Sequence, residues 1–377
     1  MKLNVFKTIL VKMANNIQNR QEDWIILARR RYAQSSLSKK KGNSTPLTET
    51  EEDEIIKYWQ KYHKKATSLF SMKQYSVYKT HLSSGGGNLK YYIPDDFYYC
   101  YADIFFTNYH ISVRLDNKNL YDLYFHDVNM PVTVIRRIEG VFMDRSYQQI
   151  SINQAIDACC QTGNVIIKQS LNSDGGKGIR FVEQCSSHRT ELESELTGRD
   201  NYVVQTIVRQ HPVLAAFNPQ SVNTIRIMTL FYRGEAKLLS SVLRMGINGS
   251  KVDNASSGGI VCGISPDGTL RDCAFDACAN KYDKHPQGHS FSGVVIPSFE
   301  KCCRLAQTLS CRFVNYTKLI SWDFSVDEQG EPLLIEANFT GGQLDFHQLC
   351  NGPIWGNDTE AILADIFANS KDIIKRL

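Results

Sequence analysis

Three oxygen-bearing side chains stand close together near the end of the sequence, in "ISWDFSVDEQGEPLLIEANF" (Ile320 to Phe339). Ile320, Trp322, Phe324 and Val326 alternate onto one face, "DEQGEP" breaks the run, and Leu333, Ile335 and Ala337 resume the alternation. The pattern predicts a two-stranded hairpin with Asp323 on the polar face of its first strand and Glu336 and Asn338 together on one face of the second. Opposite positions on paired strands bring Cβ atoms to about 5 Å. Two carboxylates that close repel unless something positive lies between them. Two carboxylates and an amide oxygen suit a hard divalent cation such as magnesium, which completes its shell with water and phosphate oxygens. The residues alone leave a second reading open, the solvent-facing side of an amphipathic hairpin.

A second stretch, "VIIKQSLNSDGGKGIRFVE" (Val165 to Glu183), delivers Lys168 on an apolar strand and passes through a glycine-rich loop into another strand. The loop is longer than an ordinary hairpin connection. Gly175, Gly176 and Gly178 allow its backbone N–H groups to turn inward around an anion, and Lys177 adds charge. It is neither a Walker A loop, since Gly178 follows Lys177 where Ser or Thr is required, nor a dinucleotide fingerprint. Arg226 in "SVNTIRIMT" alternates with Ile225 and Ile227, and Arg244 precedes "MGINGSKVDNASSGG". A guanidinium at either place can hold an acyl phosphate or a carboxylate in bidentate fashion, or form a structural ion pair. His211 and His285 each precede a proline and read as turn residues.

These side chains need elements to position them. Residues 1–80 read as helical; "LTETEEDEIIKYWQKYHKKATSLF" is the clearest helix, with Thr48 or Thr50 as N-cap ahead of an acidic first turn. "HLSSGGGN" is a break, "YYIPDDFYYCYADIFF" an aromatic-rich core segment, and "VTVIRRIEGVFM" a strand with a turn. From about 163 strands dominate, with helices expected near 296–315 and 358–375. The fold class is α+β, with a mostly helical N-terminal region.

The chain has 377 residues, 42% hydrophobic and 22% charged, enough for two or more domains of a globular protein. A net charge of +4 and scattered basic residues give no nucleic-acid footprint. "ARRR" at 28–31 and "SKKKG" at 38–42 are expected to be a solvated helix face and a loop. The 11 cysteines form no CxxC pair, which points to reduced thiols and a cytoplasmic location. No apolar run reaches the roughly 18–20 residues that span a bilayer. The opening "MKLNVFKTILVKMANNIQNR" places Phe6, Ile9, Leu10, Met13 and Ile17 at helical spacing. It is read as a helix packed on its own domain, with peripheral membrane contact as the alternative.

A strand lysine, a glycine-rich hairpin loop and a later Asp…EAN hairpin, in that order, resemble the ATP-grasp family. "RQHPVLAAFNPQSVNTIRIMT", "VLRMGINGSKVDNASSGGI", "HPQGHSFSG" and "SWDFSVDEQGEPLLIEAN" are similar to its sugar-transfer-associated subgroup, over roughly 118–377. The resemblance implies two α+β lobes gripping ATP over 116–377, divided near 203/204, behind an N-terminal region of 1–115 that takes part in substrate or partner choice. It also implies that Lys168 contacts the nucleotide phosphates and that the loop at 170–178, with Ser170, Gly175, Gly176 and Gly178, closes over them. Lys118, in "DNKNLYDLYF", resembles the earlier lysine of the nucleotide site. Gln205, Thr206, Ile207 and Val208 match the segment that meets adenine, with Gln205 where many relatives carry Glu. Asn254, with Gly258 and Gly259, matches a loop near the γ-phosphate, and Asp323, Glu336 and Asn338 match the magnesium ligands. The implied activity is ATP- and magnesium-dependent joining of a carboxylate to an amine through an acyl phosphate, with Arg226, Arg244 and Lys177 in catalytic roles. The implied substrates are small-molecule or glycan-linked acids and amines of surface polysaccharide (capsule) biosynthesis. A kinase of the same fold, or a non-catalytic nucleotide-binding module, are the rival readings.

Overall fold

The structure, a computed structural model, describes residues 24–82, 86–171, 176 and 178–369. The amphipathic opening segment, Gly175 and Lys177 lie outside the described residues. The chain divides into two compact units: 1–110 together with 343–377, and 111–342. This differs from the expected single boundary near 115. The chain after 342 packs into the first unit, because the helix Leu344–Asn351 carries side chains that complete that unit's buried polar network.

In the first unit the helix Glu49–Gln60 decides between the two candidate caps: it starts at Thr48, whose side chain accepts from the Glu51 N–H in a full capping box. The aromatic-rich segment is core: Tyr92, Ile93, Phe97, Tyr98 and Phe106 are buried around Trp59, Tyr75 and Tyr78. Buried charge was not foreseen there. Lys40, from the run expected to be a solvated loop, is fully buried on the carboxylate of Asp345, with Asp95 4.0 Å away. Burial, together with the neighbouring Asp345, pushes the Asp95 carboxyl up to about 8. Arg29, from the other basic run, pairs with buried Asp103 at 2.9 Å.

The second unit holds two antiparallel sheets. Its strands are β1 (Thr133–Ile138), β2 (Val141–Asp144), β3 (Val165–Gln169), β4 (Arg180–Val182), β5 (Tyr202–Thr206), β6 (Thr224–Tyr232), β7 (Glu235–Met245), β8 (Ile260–Ile264), β9 (Leu270–Phe275), β10 (Lys281–Tyr282), β11 (Leu319–Val326) and β12 (Pro332–Asn338). Among the described residues a five-stranded sheet runs β2-β1-β5-β3-β4 and a seven-stranded sheet runs β10-β9-β8-β7-β6-β11-β12. On the small sheet, Ile135, Val165, Ile167, Tyr202 and Val204 face the helices Ile152–Thr162 and Arg189–Thr197 in one core. On the large sheet, Ile225, Ile227, Leu243, Trp322 and Phe324 face the helix Phe299–Arg312. Each sheet therefore has its opposite face free for polar side chains.

The opening hairpin is β11–β12, with Asp323 paired to Glu336 and Ser321 to Asn338. One detail corrects the alternation. The register slips between Asp323 and Phe324, which pairs with Leu334, so Ile335 is the extra residue of a β-bulge. Leu334 and Ala337 enter the core, whereas Leu333 and Ile335 do not join it.

Candidate functional site

The polar face of the large sheet gathers residues from four strands. Asp323 on β11 stands between Arg226 on β6 and Glu336 on β12 in register. Arg226 and Arg244 lie two positions apart across the β6–β7 ladder, Arg244 being paired with Thr224. Arg226 clamps Asp323 with Nε to Oδ1 and Nη2 to Oδ2, both at 2.7 Å, and Arg244 Nη1 reaches Oδ2 at 3.0 Å. Burial pushes the Asp323 carboxyl up, but the two guanidiniums outweigh it and hold the group below its usual range. Arg244 continues through Nη2 to Asp253 at 3.1 Å and to the Asn254 amide oxygen. Its buried Nε has no acceptor among the described residues. Both arginines are thus built into ion pairs on Asp323.

The small sheet supplies the facing side. Lys168 pairs with Val203 and Ile166 with Gln205, so Lys168 and Gln205 share the face turned away from the helices. Lys168 is half-buried, with the Glu336 carboxylate and the Lys118 ammonium both close enough to act on its charge. Burial, with Lys118 nearby, pushes its amine down to about 8. The segment Lys118–Leu120 is held on this same face by buried Arg136, which donates to the Asn119 carbonyl at 2.7 Å. The Lys118 N–H bonds the Ser170 carbonyl at 2.9 Å, and its Nζ reaches Glu336 Oε1 at 2.6 Å. That ion pair joins the polar faces of the two sheets.

The remaining expected residues fall around this centre. Gly176 and Gly178 have φ of +77° and +75°, which favour glycine, and a Cβ on Gly176 would lie 3.1 Å from Val252. Ser170 is buried, and both its N–H and its hydroxyl donate to the Asn201 carbonyl, at 2.8 and 2.5 Å. Gln205 is buried, with Nε2 3.4 Å from the Pro131 carbonyl. Thr206 is tied to Val132 through its backbone N–H and its hydroxyl. Ile207 and Val208 form the connector between the sheets, with no backbone hydrogen bond among the described residues. His211 caps the short helix Pro212–Ala215, and His285 Nε2 lies 3.1 Å from the Gly246 carbonyl, so both histidines are structural.

The donor set suits a hard cation. Asp323 Oδ1 accepts one hydrogen bond and keeps a lone pair, and Glu336 Oε2 has no hydrogen-bond partner among the described residues. Asn338 Nδ2 donates to the Ser321 carbonyl at 3.2 Å and to Asp323 Oδ2 at 3.4 Å, so its amide oxygen is the end that remains to accept or to bind a cation. Three oxygens without sulfur or nitrogen ligands favour magnesium over zinc. Among the described residues no group of three or more His, Cys, Asp or Glu side chains could hold a metal ion; the set here is two carboxylates and an amide.

Some residues of this site escaped sequence reasoning. Asp253 and Thr224 brace Arg244, and Asp116 accepts from the Phe339 N–H at 3.1 Å and from Thr340 just past Asn338. Burial pushes Asp116 up to about 6. Only proximity gave a signal: Asp253 precedes Asn254, and Asp116 lies two before Lys118.

The family model described as sugar-transfer associated ATP-grasp matches residues 104–362. The chain belongs to the sugar-transfer associated ATP-grasp family. The α+β architecture of this ATP-grasp chain, two sheets with a helical N-terminal region, is as expected. Solved structures similar to it include D-alanyl-alanine synthetase A from Vibrio cholerae O1 biovar eltor, at 13% identity over 67% of this chain and 63% of that chain, with a TM-score of 0.38. An L-amino acid ligase from Bacillus licheniformis matches at 12% identity over 67% and 47%, with a TM-score of 0.37. The D-cycloserine synthetase DcsG matches at 11% over 68% and 70%, with a TM-score of 0.40. The chain spans 63%, 52% and 45% of the length of the first three such structures, about half to two thirds. No curated protein matches the chain. Among the described residues of this ATP-grasp protein no helix is long and apolar enough to cross a membrane.

Proposed function

We propose that the protein is an ATP- and magnesium-dependent carboxylate–amine ligase that works through an acyl phosphate. One observation carries the reading: Asp323, Glu336, Asn338, Arg226 and Arg244 on the large sheet meet Lys118 and the half-buried Lys168 of the small sheet. That arrangement places hard oxygen donors beside a concentration of cationic groups, which is what a polyphosphate with its metal requires.

In this reading Lys168 and Lys118 hold phosphate oxygens, and the backbone at Ile207 and Val208 offers its N–H and C=O groups to adenine. Gly176 and Gly178 let the chain turn close over the phosphates, with Gly175 and Lys177 in the same loop. Glu336, Asn338 and Asp323 would hold magnesium, which would neutralise charge on the phosphate oxygens. A substrate carboxylate oxygen then attacks the γ-phosphorus, the bond to the β-phosphate oxygen breaks, and ADP leaves. An amine attacks the acyl carbon, loses its proton and expels inorganic phosphate. The Arg244 Nε, buried without an acceptor, is the donor available to an oxygen of the transferring group. Exclusion of water by the glycine-rich loop would protect the acyl phosphate. The acid and amine are assigned to a sugar or glycan precursor and an amino acid or amine, in the cytoplasm, as part of surface polysaccharide assembly.

The test is ADP release with ATP and magnesium across uronic acids and amino acids, alone and in pairs. Release that needs both an acid and an amine supports the ligase. Release with a sugar alcohol alone overturns it in favour of a kinase, and absence of any ATP binding overturns the nucleotide reading altogether.

A further inference from the structure

The loop between β7 and β8 is fixed far more tightly than a surface connection needs. Gly246 and Gly259, at its two ends, have no room for a side chain. A Cβ on Gly246 would lie 2.4 Å from Asn218 Nδ2, and one on Gly259 would lie 2.4 Å from the Asp253 carbonyl oxygen. Between them Lys251 reaches Glu183, just past β4, at 3.5 Å and lies over the ring of Phe181 in β4, while Val252 approaches Gly176. The next residue, Asp253, turns inward and is buried. Its Oδ2 accepts from the Thr224 N–H at 3.2 Å and from the Thr224 hydroxyl, and its Oδ1 accepts from Arg244 Nη2 at 3.1 Å. The opposite nitrogen of that guanidinium, Nη1, bonds Asp323 Oδ2.

We infer that Asp253 is a positioning residue for the metal-binding carboxylate: by holding one side of Arg244 it limits how strongly that guanidinium engages Asp323 Oδ2, and so keeps negative charge on the Asp323 carboxylate for a divalent cation. Arg244 is shared between two carboxylates, with Asn254 as a third acceptor. Without Asp253 its charge falls on Asp323 alone, and a carboxylate fully neutralised by two guanidiniums is a poor metal ligand. Thr224 matters for the same reason. Its two donors fix the Asp253 carboxylate in the orientation that meets Arg244. Neither residue touches the nucleotide in this reading; each acts through Arg244. The inference rests on the proposed metal-dependent nucleotide site and extends it to the residues behind the ligands.

The experiment measures ADP affinity of the full chain by calorimetry, with and without magnesium, and takes the ratio of the two dissociation constants. Asp253→Asn is expected to reduce that ratio by at least about tenfold. Thr224→Val, which removes no charge, is expected to reduce it about threefold, and Thr224→Ser to keep the wild-type ratio. A folded Asp253→Asn protein with the wild-type ratio overturns the inference. If that variant does not fold, Thr224→Val decides: an unchanged ratio overturns the inference, and a reduced one restored by serine upholds it. A wild-type protein that binds ADP equally with and without magnesium overturns the metal reading itself, a result distinct from wild-type dependence preserved in both variants.

Discussion

Lys168 and Glu336 are the two side chains whose charge states most directly decide what the site binds. The Lys168 amine, pushed down to about 8 from 10.5 by burial and by Lys118, is only partly charged at pH 8.5. The unfolded chain binds more protons than the folded one between those two values. The contribution of Lys168 to stability therefore rises with pH across that window, and its full cost is present below pH 8. Phosphate oxygens favour the charged form, so ADP binding at pH 8.5 should take up a proton. Calorimetry in two buffers of different ionisation enthalpy would detect it, and Lys168→Met should abolish it. Binding with no proton uptake would remove Lys168 from the phosphate site. Glu336→Gln keeps the shape but loses the charge that faces Lys118 and, in the proposed function, magnesium. ATP turnover should fall by on the order of 100-fold, in line with removal of a key electrostatic group. Unchanged turnover would end the metal assignment.

Backbone packing, rather than any one side chain, sets the loops around the site. Gly259 runs so close to Asp253 and Met245 that a Cβ would lie 2.4 and 2.8 Å from their carbonyl oxygens. Both obstacles are backbone and cannot rotate aside. Gly259→Ala should destabilise the protein by about 1–3 kcal/mol and lower Tm, with magnesium-dependent ADP binding weakened as Asp253 shifts. A melting temperature equal to wild type would show that the loop yields freely. The β11–β12 bulge belongs to the same level. It pairs Phe324 with Leu334, so that Asp323 and Glu336 stay opposed while Leu334 and Ala337 fill the core. Alternation exposed the hairpin and the polar positions, but no Gly or Pro marks the bulge, so Ile335 reads as an ordinary core residue.

Over the whole chain, the division at 342 shows the last helices completing the unit that the first helices begin. Lys40 on Asp345 is the charged part of that join, and Gln348 adds hydrogen bonds to both the N–H and the carbonyl of Ile93. Breaking a buried pair strands the remaining charge, so Asp345→Asn should cost about 3–5 kcal/mol, read by urea denaturation. The double variant Lys40→Met, Asp345→Leu should recover most of the loss. A single variant as stable as wild type would show that Lys40 finds another partner. A run of lysines in a polar stretch carries no local sign of this burial, since the carboxylate that receives it is 305 positions away.

The sequence by itself determined the α+β class, the β11–β12 and β3–β4 hairpins, a capped helix beginning at Thr48 or Thr50 and which side chains belong to the polar faces. Those features follow from periods of two and 3.6 residues and from capping patterns, all of them local. Tertiary structure decided what the polar groups touch: Arg226 reaches across 97 positions to Asp323, and Lys118 across 218 to Glu336. Ion pairing depends on distance in space, to which local periodicity is blind. Arg226 and Arg244, for which the sequence left open substrate contact or a structural ion pair, therefore emerge as the groups that set the charge on Asp323, and Asp253 as the residue that holds Arg244 in place.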